Sequence, residues 1–193
     1  MIPRLTTIAA IAAASALPAA ADTTQADLVG VWQTPLREQP APAGTASAFL
    51  RQTVRFTTGS ETMAAEAFVD AEGTVPLFTY ASTGPWESVG PAPGIPGALA
   101  LELRNDRSEM TIFVDAPEIW EAIGMGGCDL VLGQAVDIAD CVSGPPFMVA
   151  DCTDLDVVMV DEGGRRLRFG AEGVDRCETR PTTLSETAFL RVE

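Results

Sequence analysis

The sequence predicts an all-β protein with one short helix, folded as an antiparallel, lipocalin-like closed or half-open β-barrel. Three observations lead there. Apolar and polar residues alternate with a period of two in one segment after another, the mark of strands with one face buried. Clusters of Gly, Asn, Asp and Pro separate these segments at hairpin spacing. Only one stretch changes to the helical period. The strands must therefore pair mainly with each other, and a many-stranded sheet sheds its exposed edges by closing on itself.

The first strand is expected over residues 29–34, carrying Gly30 and Trp32. Gly30 allows a close approach to a neighbouring backbone, and Trp32 is either a plug for one barrel end or ordinary core. In "FLRQTVRF" (49–56), Leu50, Gln52, Val54 and Phe56 share one face, with Arg51, Thr53 and Arg55 on the other. "ETMAAEAFVD" (61–70) and "TVPLFTYAS" (74–82) follow, with 71–73 as the turn. "GALALELR" (97–104) groups Leu99, Leu101 and Leu103, and "EMTIFVD" (109–115) groups Met110, Ile112 and Val114. A helix is expected next, capped by Asp115, with Pro117 in its first turn, Ile119, Trp120 and Ile123 on its apolar side and Gly124 at its end. "CDLVLGQAVDI" (128–138) reads as a strand bent at Gly133. "DLDVVMV" (154–160) and "RRLRFG" (165–170) flank the turn signal 161–164, and "AFLRV" (188–192) is the last strand. Residues 39–48, 90–97 and 143–147 read as loops.

The chain starts like a secretory signal. Arg4 supplies the positive charge, residues 5–17 are apolar, and Pro18-Ala19-Ala20-Ala21 has the small residues of a cleavage site. Export to the periplasm or outside the cell is the expectation, with 1–21 removed and 22–193 as a single domain. The apolar run is too short to span a bilayer, and no later segment is long and apolar enough to do so. The mature part keeps 11 Arg against 27 acidic residues, a net charge of −16. Such a surface repels nucleic acid and anionic lipid heads. There is no Lys and no His. That removes His-based triads, nearly all zinc and copper sites, and Schiff-base chemistry. No cofactor and no metal are expected. The four cysteines, Cys128, Cys141, Cys152 and Cys177, read as disulfides in an exported chain, with three pairings open.

Two charged sets carry alternatives. Asp154 and Asp156, two apart on a strand, share a face. The default is a solvated outer face; with Asp151 they form a Ca²⁺ alternative. Arg51, Arg55, Arg166 and Arg168 are outward by default. Turned inward, they would hold the carboxylate or phosphate head of a ligand.

Several ordered pieces carry a family resemblance: "LVGVWQT" with "FLRQTVRF" (28–56), "VPLFTYASTGPWE" (75–87), "IPGALALEL" (95–103), "GGCDLVLGQAVDIADC" (126–141), "LRFG" (167–170) and "ETRPTTL" (178–184). Together they resemble the APCD domain of the adenomatosis polyposis coli down-regulated family, over nearly all of residues 22–193. The resemblance implies a secreted or surface-displayed, lipid-accommodating β-barrel, here as a single unanchored copy, with room for an acyl chain. Its pattern has a Cys-containing pair around 128–141, where Cys128 and Cys141 bracket one expected strand and its turn, so Cys128–Cys141 is expected; Cys177 follows the strand at 165–170, which a hairpin brings back beside Cys152, so Cys152–Cys177 is expected as well. Where that pattern has two further cysteines, this chain has Arg37 and Gly73, so one cross-link is absent.

The expected function is non-catalytic binding of a hydrophobic small molecule or lipid acyl chain. The expected wall is Trp32, Leu50, Phe56, Phe78, Tyr80, Trp86, Leu101, Ile112 and Trp120, which a filled core would use equally. The alternatives are a His-free hydrolase with paired carboxylates and a pocketless extracellular interaction module. An apolar cavity, inward-facing carboxylates or a filled barrel would separate the three.

Overall fold

Alternation along "FLRQTVRF" and its successor turns directly into a long hairpin, β3 (Ala48–Phe56) with β4 (Ser60–Phe68), in register from Phe49 opposite Phe68 to Phe56 opposite Glu61. The computed structural model describes residues 22–39, 47–142, 152–161 and 163–192. The expected signal segment 1–21, most of the loop 39–48, the loop 143–147, Asp151 and Glu162 lie outside the described residues.

The remaining strands are β1 (Gly30–Gln33), β2 (Arg37–Gln39), β5 (Pro76–Pro91), β6 (Leu99–Arg104), β7 (Arg107–Ile112), β8 (Ala135–Asp137), β9 (Thr153–Asp161), β10 (Arg166–Phe169) and β11 (Phe189–Arg191). Antiparallel pairing runs β1-β3-β4-β5-β6-β9-β10-β11 and returns to β1, which closes an eight-stranded barrel. The seam between β1 and β11 is short, with Trp32 opposite Arg191 and Gln33 opposite Leu190.

β5 outlasts its expected span of 74–82 because it serves two neighbours on one edge. Its first half pairs β7 and its second half pairs β6. Asn105 and Asp106 separate those partners, and there β5 passes against the Arg104 carbonyl at Gly84, where a Cβ would overlap it. β6 continues around the barrel through β9, while β7 leaves it to pair β8.

Register keeps the inner face of the sheet continuous. Val54, Phe56, Trp86, Leu101, Leu103, Val158, Leu167 and Phe189 fill the barrel together with Leu28 and Trp32. Further along the same sheet, Ala65, Ala67, Tyr80, Met110 and Ile112 pack against Trp120, Met125 and Ile138.

Three local readings need correction. There are two short helices: α1 (Gln25–Leu28) precedes the first strand, its start held by the Asp27 carboxylate, which accepts from the Thr24 backbone N–H at 2.8 Å and hydroxyl at 2.6 Å. α2 (Pro117–Ala122) is flanked by Ala116 in the cap position rather than Asp115, because Pro117 already supplies helical φ at its first residue. The strand expected over 128–138 shrinks to β8 and a single bridge at Leu132. Gly133 sits at φ 71°, and Cys128 is tied to Cys141, so the intervening chain turns instead of extending.

Candidate functional site

The nine expected wall residues lie on the inner side of the sheet or on the helix packed against it, but in two separate cores. Trp32, Phe56, Trp86 and Leu101 are in the barrel core; Tyr80, Ile112 and Trp120 are in the core beneath α2, with Leu50 and Phe78 packed against it. The barrel residues occupy the lumen with each other. Phe56 meets Trp86 edge-on at 5.2 Å and lies 6.3 Å from Phe169, which meets Phe189 at 5.4 Å. Trp32 is fully buried, its indole N–H donates to the Leu28 carbonyl at 2.7 Å, and the Arg191 guanidinium lies 4.1 Å from its ring centre.

One end of the lumen is acidic. Glu61 opposes Phe56, Asp154 opposes Leu103 and Asp156 opposes Leu101, so all three enter the barrel interior. Their exposures are 5%, 8% and 1%, which overturns the solvated-face default for Asp154 and Asp156. The physical reason is the chain that follows β10. Arg176 from that segment donates to Asp156 at 2.6 Å, lies 3.9 Å from Asp154, and bonds the Gly170 carbonyl. Asp156 also accepts the N–H groups of Val157 and Gly170, and Cys152–Cys177 pins the segment in place.

Burial pushes the Glu61 carboxyl up to about 8, with the Asp154 charge adding to it. Burial and Asp156 raise Asp154 to about 6, against the pull of Arg176 and Arg180. Burial raises Asp156 as well, opposed first by Arg176 and then by its backbone donors. Among the described residues, no group of three acids or cysteines is placed to hold a metal ion.

The expected disulfides Cys128–Cys141 and Cys152–Cys177 are both present, with Cα–Cα separations of 5.1 and 5.4 Å. Arg51 and Arg168 are held by Glu66 and Asp161 at 2.9 and 2.8 Å, while Arg55 is exposed on the strand face opposite Val54 and Phe56.

An open groove of about 460 Å³ lies where the barrel seam ends. Beyond Gln33 the chain passes through Thr34 and Pro35 into β2, which pairs β3 alone, so β2 and β11 part. Thr34, Pro35 and Arg37 form one wall; Arg166, Thr187, Ala188 and Leu190 form the other. Arg37 donates to Gln39 at 2.8 Å and to Gln52 at 2.9 Å, and its buried Nε has no hydrogen-bond partner. A smaller hollow of about 210 Å³ is lined by Pro85, Trp86, Glu87, Glu102, Arg104 and Thr153.

None of the nine wall residues lines the larger groove, and Trp86 alone reaches the smaller one. Two groups escaped the sequence reading. Glu61 carried a signal, a charge in phase with Met63, Ala65 and Ala67 on an alternating strand. Arg37 carried none, because the groove exists only where two distant strands diverge.

The geometry defines a disulfide-bonded antiparallel barrel with a filled lumen and an open groove beside its seam, an architecture compatible with a secreted binding protein. No family model matches the chain, and comparison with curated proteins finds no significant match.

Proposed function

We propose that this chain is an exported, non-catalytic binding protein that takes a hydrophobic ligand in the groove at its barrel seam rather than in its lumen. The observation that carries the reading is the contrast between the two spaces. The lumen is occupied by Trp32, Phe56, Trp86, Leu101 and Phe189. The groove is open and offers Pro35, Ala188 and a half-exposed Leu190. Its volume falls in the range of small-molecule sites.

Export is supported by the two disulfides, which persist in oxidising compartments, and by the leader-like residues 1–21. Among the described residues, no helix is long and apolar enough to cross a membrane. Kinship with the APCD domain rests on the order of the sequence pieces that resemble it. Burial raises the carboxyls of Glu61 and Asp154, and Phe56, Trp86 and Leu103 belong to the packed core on the same inner face, which supports the non-catalytic reading.

Titration of the purified protein with fatty acids of increasing length, read by displacement of a fluorescent acyl probe, tests the reading. Saturable binding at about micromolar concentration is expected, tightening with length as each buried CH₂ adds about 0.8 kcal/mol. Leu190→Asp should abolish it and Leu101→Ala should not. Absence of saturable binding would favour an interaction module without a pocket. Sequencing the secreted protein's N-terminus should find Asp22 first.

A further inference from the structure

Arg37 differs from five other arginines of this chain in what surrounds its charge. Arg51, Arg107, Arg168, Arg176 and Arg180 each lie within ion-pair distance of an Asp or Glu. Arg37 instead donates to two neutral amide oxygens, those of Gln39 and Gln52. A guanidinium has five N–H donors. Two are used here, and the buried Nε donor is unmatched.

A buried donor without an acceptor is costly, and such a group is commonly completed by water or a ligand. Arg37 is half-buried, so its charge is screened less than that of an exposed side chain. It stands in the wall of the seam groove, with Arg166 in the opposite wall and Pro35, Ala188 and Leu190 between and beside them.

Building on the reading that this groove takes a hydrophobic ligand, we infer that it selects molecules with a single carboxylate at the head of an apolar chain, and that Arg37 holds the carboxylate. The planar fork of a guanidinium matches a carboxylate with two parallel bonds. The apolar lining receives the chain. The net charge of −15 on the whole molecule opposes a doubly charged head, so one negative charge is the best match to this local cation.

Tetradecanoic acid, its methyl ester and tetradecyl phosphate, each competing with a fluorescent acyl probe, test the inference. The wild-type protein should bind the acid about tenfold or more tighter than the ester, the size of one charge-assisted contact, and tighter than the phosphate. Arg37→Gln should erase the preference for acid over ester. Gln52→Glu should do the same without removing Arg37, because the new carboxylate occupies its guanidinium. It decides the matter if Arg37→Gln fails to fold, as melting curves would show. Equal binding of acid and ester by the wild type, tighter binding of the phosphate, or a preference that survives both substitutions overturns the inference and leaves the hydrophobic-ligand reading standing. If neither acid nor ester binds, both fall.

Discussion

Glu61 sits on a strand whose other inward residues are Met63, Ala65 and Ala67, and its burial beside Asp154 makes the folded protein hold a proton that the unfolded chain releases. The carboxyl moves from 4.5 to about 8 on folding. A raised carboxyl contributes stability that is full below its unfolded value and is lost as pH climbs through the folded value. Asp154, raised from 3.8 to about 6, acts in the same sense over a lower window. The melting midpoint should therefore fall between about pH 5 and pH 8.5, the Glu61 part amounting to roughly 3–5 kcal/mol at most. Glu61→Gln should flatten the upper half of that profile, which calorimetry across pH would show; an unchanged slope would mean that Glu61 is ionised throughout. Trp32 is the opposite kind of buried residue, apolar apart from one satisfied N–H. Trp32→Ala should cost about 3–5 kcal/mol in denaturant unfolding, through the cavity left in the core it shares with Leu28 and Phe189.

At the scale of elements, β5 and the segment after β10 organise the rest. β5 holds β4 on one edge and both β6 and β7 on the other, and Gly84 lets it pass the Arg104 carbonyl at the point where those two part. Gly84→Val should push β5 off that carbonyl and lower stability by roughly 2 kcal/mol or more in urea unfolding. The segment after β10 carries Arg176 to Asp156 and is fastened by Cys152–Cys177. Replacing both cysteines by Ser should cost roughly 2–4 kcal/mol. It should also expose the bond after Arg176 to trypsin, so limited proteolysis would cut there first. Cleavage no faster than in the wild type would mean that the ion pair and backbone bonds hold the segment unaided.

For the whole molecule, closure and charge act against one another. The barrel joins strands far apart in sequence, such as β1 with β11, and removes most free edges at the expense of non-local pairing. The net charge of −15 pushes the compact state apart. Raising salt from about 20 to 200 mM shortens the screening length by roughly threefold and should raise the melting midpoint by a few degrees. Salt should also weaken the acid's advantage over its ester in the seam groove, since that advantage is electrostatic.

Composition and alternation were enough to specify much of this protein. The period-two faces of "FLRQTVRF" and "GALALELR" assign Val54, Phe56, Leu101 and Leu103 to the interior, because a strand has only two faces and water accepts only one of them. The absence of His and Lys limits the chemistry whatever the fold. Tertiary structure decided what alternation leaves open. Asp154 and Asp156 share a face in any register, but that face is interior because β9 closes against β6 and because Arg176, twenty residues beyond Asp156, returns to neutralise it. The wall residues divide into two cores because β7 leaves the barrel where β6 stays, at the point where Gly84 lets β5 pass close to the Arg104 carbonyl. The groove and its unmatched Arg37 donor arise where β2 and β11 separate. A space between strands 150 residues apart in sequence comes from long-range pairing, and local periodicity has no term for it.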